Sequence, residues 1–343
     1  MARRIEEAWA ERLSELCSAI RDGAREALAR AHASGERSLV DRPVRQGAGD
    51  VTYAIDELVE RTIELWFDAA AREQPLSLLT EDTGWRHRGP DGAGGARELA
   101  GFDHGGPRIA LDPIDGTRNV MADLRSAWTV VSFAPPSCGA PRLSDVTLGI
   151  VSEIPDSRAA RFRVFETHSP ERCDFALREL DGGRLVRGGE LRVDSDARVD
   201  RGYFSFFRYA PDQRPAIARV EAEFFERLRA REGADLRHVF DDQYISNAGQ
   251  LALLALGTYR MIADLRGFVA RRAGTRTITS KPYDVAGAIA CARAAGCVVE
   301  GPLGTQLDFE LDVTTPVDFV GFANRATAER VRPHLDDALK ASI

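Results

Sequence analysis

Apolar residues at Ile5, Trp9, Leu13, Leu16 and Ile20 recur every three to four positions, which predicts an amphipathic helix over 3–34. A stretch rich in Arg, Gly and Pro interrupts the pattern. Asp56 then stands where it would cap a second helix, over 57 to about 72, that ends before Pro75. The run 76–79 reads as a short buried strand that delivers Thr80, Glu81 and Asp82. From Gly84 to Pro107 ten of 24 residues are Gly or Pro, the composition of a long surface loop. A further apolar run, 108–111, predicts a strand broken at Pro113, and strands follow over 128–134, 146–154 and 161–166. The segment 171–199 is β-like and interrupted by glycine, and 202–209 is aromatic and strand-like. A charged helix is expected over 214–232. Helix and strand then alternate: 246–256 helical, 259–263 strand, 285–295 helical, 317–322 strand and 326–341 helical. A mixed first half and an alternating second half imply two stacked sheets with helices between and outside them. The division expected is 1–200, carrying most of the acidic candidates, and 201–343, carrying Asp284.

Composition narrows the choice of function. The chain has 343 residues, 44% hydrophobic and 29% charged, as in a water-soluble globular protein with a large core. A net charge of −7 leaves no basic footprint, so nucleic acid is not an expected partner. No run of about 18 uninterrupted apolar residues exists, so no membrane span is expected, and the N-terminus leads straight into a helix without an apolar signal segment. Five cysteines at 17, 138, 173, 291 and 297 are scattered and odd in number, which fits reduced thiols in a cytoplasmic protein.

The densest chemistry lies in 111–119, Leu-Asp-Pro-Ile-Asp-Gly-Thr-Arg-Asn. Pro113 fixes its own φ and biases Asp112 away from the helical region, while Gly116 permits a tight approach to the next segment. Asp112, the carbonyl of Ile114 and Asp115 together supply the oxygen donors that Mg²⁺ selects. The N–H groups of Gly116 and Thr117, at the start of a helix or turn, are what a phosphate selects. A metal site facing a phosphate cradle is equipment for metal-assisted hydrolysis of a phosphate ester. Asp-Pro and Asp-Gly are also ordinary turn dipeptides, but the whole string after an apolar strand is far more restrictive.

This string resembles the signature of the inositol monophosphatase superfamily, Mg²⁺-dependent, lithium-sensitive phosphatases of inositol phosphates, fructose bisphosphate and adenosine 3′,5′-bisphosphate. The resemblance extends over about 45 to 325. Thr80-Glu81-Asp82 is similar to the family's Gly-Glu-Glu element, with Glu81 at the position of a metal-ligand glutamate. Tyr283-Asp284-Val-Ala-Gly-Ala, followed by Ala294-Ala-Gly296, is similar to the family's Trp-Asp-x-Ala-Ala-Gly element, with Asp284 as a further carboxylate. Asp50 and Asp56 match the ends of an Asp-x-x-Thr-x-x-Asp segment. There Asp50 is the position that bonds the threonine matching Thr117, the pair orienting the attacking water, and Asp56 reads as a helix cap. The resemblance thus implies a layered αβαβα fold and two or three Mg²⁺ ions held by Glu81, Asp112, Ile114, Asp115 and Asp284. Asp50, Glu81 and Thr117 would be catalytic, and Gly116, Thr117 and Asp284 would meet the substrate. It implies a homodimer and a small phosphate ester, such as an inositol monophosphate or sugar phosphate, as substrate.

Residues taken singly have plainer readings: Glu81-Asp82 as a solvated strand end, Asp284 as an N-cap. From about 155 to 240 the family pattern is not traceable, and Ile245 stands where an arginine often precedes the serine matching Ser246. Ala263-Asp-Leu-Arg-Gly267 is similar to archaeal enzymes of dual specificity, which offers Arg266 as a substrate contact; otherwise it is a surface arginine. Broad activity with modest preference follows from the few groups placed to read substrate hydroxyls. An adenosine 3′,5′-bisphosphate 3′-nucleotidase is the alternative within enzymes, although no adenine slot is evident, and a non-catalytic ligand-binding relative is the alternative outside them.

Overall fold

The computed structural model describes residues 2–46, 51–137, 139–209 and 211–342. Helix α1 (Ala2–Ser34) and the short α2 (Ser38–Asp41) lead into a small hairpin, β1 (Pro43–Gln46) and β2 (Val51–Tyr53). Helix α3 (Ala54–Glu73) follows, then β3 (Leu76–Thr80), β4 (Gly84–Pro90), β5 (Ala96–Glu98) and β6 (Arg108–Asp115). The glycine-rich segment is therefore not the long loop its composition suggested. Trp85 and His87 alternate with Arg86 and Arg88, and Gly84 to Arg88 of β4 pair antiparallel with the whole of β3. After the five-residue helix α4 (Thr117–Met121) come β7 (Ala127–Ala134), β8 (Leu148–Ile154), β9 (Arg161–Ser169), β10 (Arg172–Glu179) and β11 (Leu185–Leu191). These strands form one sheet of nine in the order β11-β10-β9-β8-β7-β6-β3-β4-β5, with only β3 and β6 parallel among its neighbours.

The second half contributes β12 (Tyr203–Phe206), α5 (Arg214–Glu232), α6 (Asn247–Ala255), β13 (Tyr259–Asp264) and α7 (Arg266–Arg272). Helix α8 (Pro282–Ala295), β14 (Val298–Glu300), β15 (Phe319–Phe322) and α9 (Arg325–Ser342) complete it. A four-stranded sheet has the order β12-β13-β15-β14. The segment that could not be traced by family pattern thus builds β9 to β11 at one edge of the large sheet and opens the small one.

Side-chain alternation stacks the layers. On β6, Ile109 and Leu111 join Trp9, Leu13, Ile63 and Phe67 under α1 and α3, while Ala110 faces α6 and α8 on the other side. Both faces of the central strands are covered, which is why they read as continuous apolar runs. On β13, Ile262 turns to α6 and α8, whereas Met261 and Ala263 join Phe204, Phe224 and Leu335 beneath α5 and α9. The order helix, sheet, helix, sheet, helix is the one expected. Helix α8 lies close enough to the large sheet that a Cβ on Gly287 would stand 2.1 Å from the carbonyl oxygen of Val131. Among the described residues, no helix is long and apolar enough to cross a membrane. Cys17, Cys173, Cys291 and Cys297 are buried free thiols, and Cys138 lies outside the described residues.

Candidate active site

Pro113 does not end its strand. It has no N–H to give the ladder, so β6 bulges: Asp112 pairs with Val130 and Asp115 with Trp128, and Pro113 and Ile114 are left over. Asp112 Oδ1 accepts the N–H of Ile114 at 3.0 Å, and the Thr129 hydroxyl donates to the Pro113 carbonyl at 2.9 Å, which fixes the bulge. Gly116 then takes φ +93°, and a Cβ there would lie 3.0 Å from the Ile245 carbonyl, so a side chain is excluded on two counts. That same carbonyl accepts from Asn119 at 2.7 Å. Position 245 therefore serves through its backbone, and isoleucine in place of arginine leaves this contact intact.

The ends of β3 and β6 and the N-termini of α3, α6 and α8 surround a cavity of about 500 Å³. Asp56, Glu81, Asp112, Ile114, Asp115, Gly116, Thr117, Arg266 and Asp284 all line it. Asp56 and Asp284, 228 positions apart in sequence, are thus brought to one cavity. Asp50 lies outside the described residues. Helix starts aimed at one place favour negative charge there.

Asp56 is not the N-cap it was expected to be, and Asp284 is not the cap it would be if read alone. The caps are Tyr53 and Lys281, and each aspartate sits at the third helical position, accepting its cap residue's N–H at 2.8 Å. The other oxygen of Asp56 lies 3.2 Å from the Thr117 hydroxyl, which also reaches the Ile114 carbonyl at 2.9 Å. The other oxygen of Asp284 is buried and, among the described residues, has no hydrogen-bond partner. Asp115 is anchored by the Ser246 hydroxyl and the N–H of Ala248, each at 2.7 Å, at the start of α6. Burial, with the charges of Asp284, Asp115 and Glu81, holds the Asp112 carboxyl well above the usual carboxylate range. Burial likewise raises Asp284, against the pull of the Lys281 N–H and with the push of Asp115 and Glu81. Asp115 is pushed by burial to about 6 even with its hydrogen bonds opposing. Burial and the neighbouring acids make Asp112 and Asp284 hold protons more readily than a free carboxyl, and cations are the natural relief.

The donor set fits Mg²⁺: hard carboxylate oxygens, one of them orphaned, beside a carbonyl with a second lone pair. Among the described residues no three acid, imidazole or thiol groups stand in the tight arrangement of a formed ion shell. The geometry shown is one of proximity and mutual repulsion.

Other residues of the cavity had no sequence signal. Arg45 clips the β1–β2 hairpin to Asp82 at 2.6 Å and to Glu60 at 3.2 Å, and burial and the neighbouring Asp82 push the Glu60 carboxyl to about 7. Tyr53, Arg118, Phe207 and Tyr209 also line the wall. Arg266 is not a surface residue. It is 4% exposed and paired at 2.6 Å with Asp264, itself 2% exposed, and it donates to Ser280 at 3.0 Å. Burial pushes the Asp264 carboxyl up, but the charge and hydrogen bonds of Arg266 and the Asn247 amide hold it below the usual range.

The same layers occur in solved structures. The fold is that of the inositol monophosphatases and fructose-1,6-bisphosphatases. Fructose-1,6-bisphosphatase of Leishmania major matches with a TM-score of 0.67 at 12% identity, over 95% of this chain and 94% of that one. A gene product described as an inositol monophosphatase–fructose 1,6-bisphosphatase matches with a TM-score of 0.62 at 13% identity, over 96% and 99%. The extragenic suppressor protein SuhB of Bartonella henselae matches with a TM-score of 0.60 at 18% identity, over 98% and 100%. No family model matches the sequence, and no curated protein matches it.

Proposed function

We propose that this chain belongs to the inositol monophosphatase superfamily and is a Mg²⁺-dependent phosphomonoesterase of small polyol or sugar phosphates. The observation that carries the reading is the cluster of half-buried carboxylates Asp112, Asp115 and Asp284 lining the cavity, with one Asp284 oxygen unsatisfied among the described residues. Glu81, Asp112, the Ile114 carbonyl, Asp115 and Asp284 would hold two or three Mg²⁺ ions. Bound there, Mg²⁺ neutralises the phosphate, lowers the pKa of water and stabilises the leaving alkoxide. Thr117 orients the attacking water and passes its proton toward Asp56, since the hydroxyl has one hydrogen and two acceptors within reach. Asp50, which the family pattern pairs with Thr117, lies outside the described residues. In this reading Asp56 holds the contact. The N–H groups of Gly116 and Thr117 would face the phosphoryl oxygens.

Phosphate release with Mg²⁺ from inositol 1-phosphate, fructose 1,6-bisphosphate and adenosine 3′,5′-bisphosphate tests the assignment. Turnover of the first two is expected, with modest preference between them. Turnover of adenosine bisphosphate alone would make the protein a 3′-nucleotidase, and no release from any would leave a ligand-binding relative. We also propose a cytoplasmic homodimer. Light scattering at micromolar concentration should give twice the 37.6 kDa chain mass, and a monomer mass would refute the dimer.

A further inference from the structure

At the root of β3, away from the acids, one buried hydroxyl is shared by two imidazoles. Ser77 is 0% exposed, and its Oγ lies 2.8 Å from His87 Nδ1 and 2.8 Å from His104 Nε2. The hydrogen-bond chain settles where each hydrogen sits. His104 Nδ1 accepts the N–H of Gly106 at 3.0 Å, so in the neutral ring Nε2 carries the hydrogen and donates to Ser77. The serine hydroxyl then gives its single hydrogen to His87 Nδ1. His104 belongs to the segment between β5 and β6, and that segment sits tightly on the sheet. The Ser77 N–H donates to the Pro107 carbonyl at 2.9 Å and the Leu99 N–H to the His87 carbonyl at 2.8 Å. A Cβ on Gly106 would stand 1.7 Å from the Pro75 carbonyl oxygen. Phe102 sets its ring edgewise against His87 at 4.6 Å and Trp85 at 5.2 Å, and Arg108 donates to the Phe102 and Gly106 carbonyls. From Ser77, β3 runs on to Thr80 and Glu81, and from Arg108, β6 runs on to Asp112. The contacts thus grip the two strands that carry acids to the cavity.

We infer that His87, Ser77 and His104 form a pH-sensitive latch, closed on residues 99–107 while both imidazoles are neutral and released when either takes up a proton. The inference stands apart from the phosphomonoesterase reading. A proton added to His104 must go to Nδ1, where it meets the Gly106 N–H donor against donor. A proton added to His87 Nδ1 faces Ser77 and leaves the serine's own hydrogen without its imidazole acceptor, inside a buried site. Both rings are half-buried, so water can deliver the proton. The surrounding charges favour the closed form. Burial first, then the Arg108 guanidinium on β6, hold both imidazoles below the ordinary histidine value, and each ring's charge opposes protonation of His104 in the presence of the other. Glu98 on β5 pulls His87 the other way, as does Asp103 for His104. Arg86 and Arg88 of β4 turn to the opposite face, where both bond Glu64 on α3. A group with a depressed folded pKa costs nothing well above the unfolded value and weakens the native contact as pH falls through it. The latch therefore opens below the ordinary histidine value of 6.5.

Hydrogen exchange resolved by segment tests this on the full chain, because the raised carboxyls Asp112, Asp115 and Asp284 push global stability in the opposite direction with pH. After correction for the intrinsic rate, protection of the Ser77, Leu99 and Gly106 amides should fall by about tenfold or more between about pH 7.5 and 5.5. Helix α5, far from the histidines in the chain, serves as the internal reference and should not follow. His87→Asn keeps an acceptor for the Ser77 hydroxyl and His104→Gln keeps a donor to it, and neither side chain titrates in this range. The double variant should hold its protection at the lower pH, and each single variant should lose only part of it. Should the double variant fail to fold, imidazole shifts of the wild type followed by NMR carry the test. Both rings should then titrate below 6.5, with midpoints that coincide with the loss of protection. Protection of residues 99–107 that is unchanged at the lower pH would overturn the latch. An equal loss in the double variant, or imidazoles that titrate at or above the ordinary value, would overturn it as well.

Discussion

Helices α3 and α8 start in the same way beside one cavity. Each is preceded by an extended residue, Tyr53 or Lys281, and each places an aspartate at its third position to accept that residue's N–H at 2.8 Å. The two aspartates part company at the second oxygen. The oxygen of Asp56 meets the Thr117 hydroxyl, whereas that of Asp284 is buried and, among the described residues, meets no donor in hydrogen-bond geometry. One capping arrangement therefore yields two chemistries. A carboxylate bonded to a hydroxyl can relay a proton. A carboxylate with a desolvated, unsatisfied oxygen is an unstable arrangement until a cation arrives, because an unmade buried hydrogen bond costs about 1–3 kcal/mol and more for a charge.

The sharpest way to break the comparison is to neutralise the two aspartates in turn. Asparagine keeps a carbonyl oxygen for the cap residue's N–H, so both variants should fold. Asp284→Asn should lower kcat by a factor on the order of 10³ and weaken Mg²⁺ binding, as should Asp112→Asn. Full activity in either would sink the metal assignment. Asp56→Asn should leave Mg²⁺ affinity in place and lower kcat by a factor on the order of 10². Thr117→Ala should match it, with little change in KM. Together they should lose less than the product of the single losses; a multiplicative loss would show that they do not act as a unit.

The smallest effect is on stability against pH. Asp112, Asp115 and Asp284 have folded pKa values above the ordinary carboxylate value, so the native state holds more protons than the unfolded chain. In metal-free protein, stability should accordingly fall as pH rises from about 4 through about 6, where Asp115 titrates, and onward through the higher values of the other two. Saturating Mg²⁺ should flatten that decline and raise Tm by a few degrees at pH 7. A metal-free Tm that climbs steadily across this range would contradict the raised values.

The element pattern was legible where both faces of a strand or one stripe of a helix are apolar, as in β6 to β8, α1 and α5. It misled between Gly84 and Pro107, because glycine and proline report local freedom and not the edge of a sheet waiting for a partner. Pro113 was read as a break because the proline rule is local, while the strand on either side of it is held by pairing with β7. The acids were found by their spacing and by likeness to a known motif. Asp56 was set aside as a cap since its hydroxyl partner lies 61 residues away. Arg118, Tyr209 and Phe207 carry no local signature, and they share one wall only because separate segments meet there.

By itself, the sequence determined which residues could do chemistry and which segments could be helix or strand. Those follow from side-chain type, from proline and glycine, and from periods of two and 3.6 residues. Tertiary structure alone decided which oxygen of which aspartate is satisfied and that Arg266 is buried against Asp264. Those depend on distances between segments far apart in the chain, where burial sets the strength of every charge.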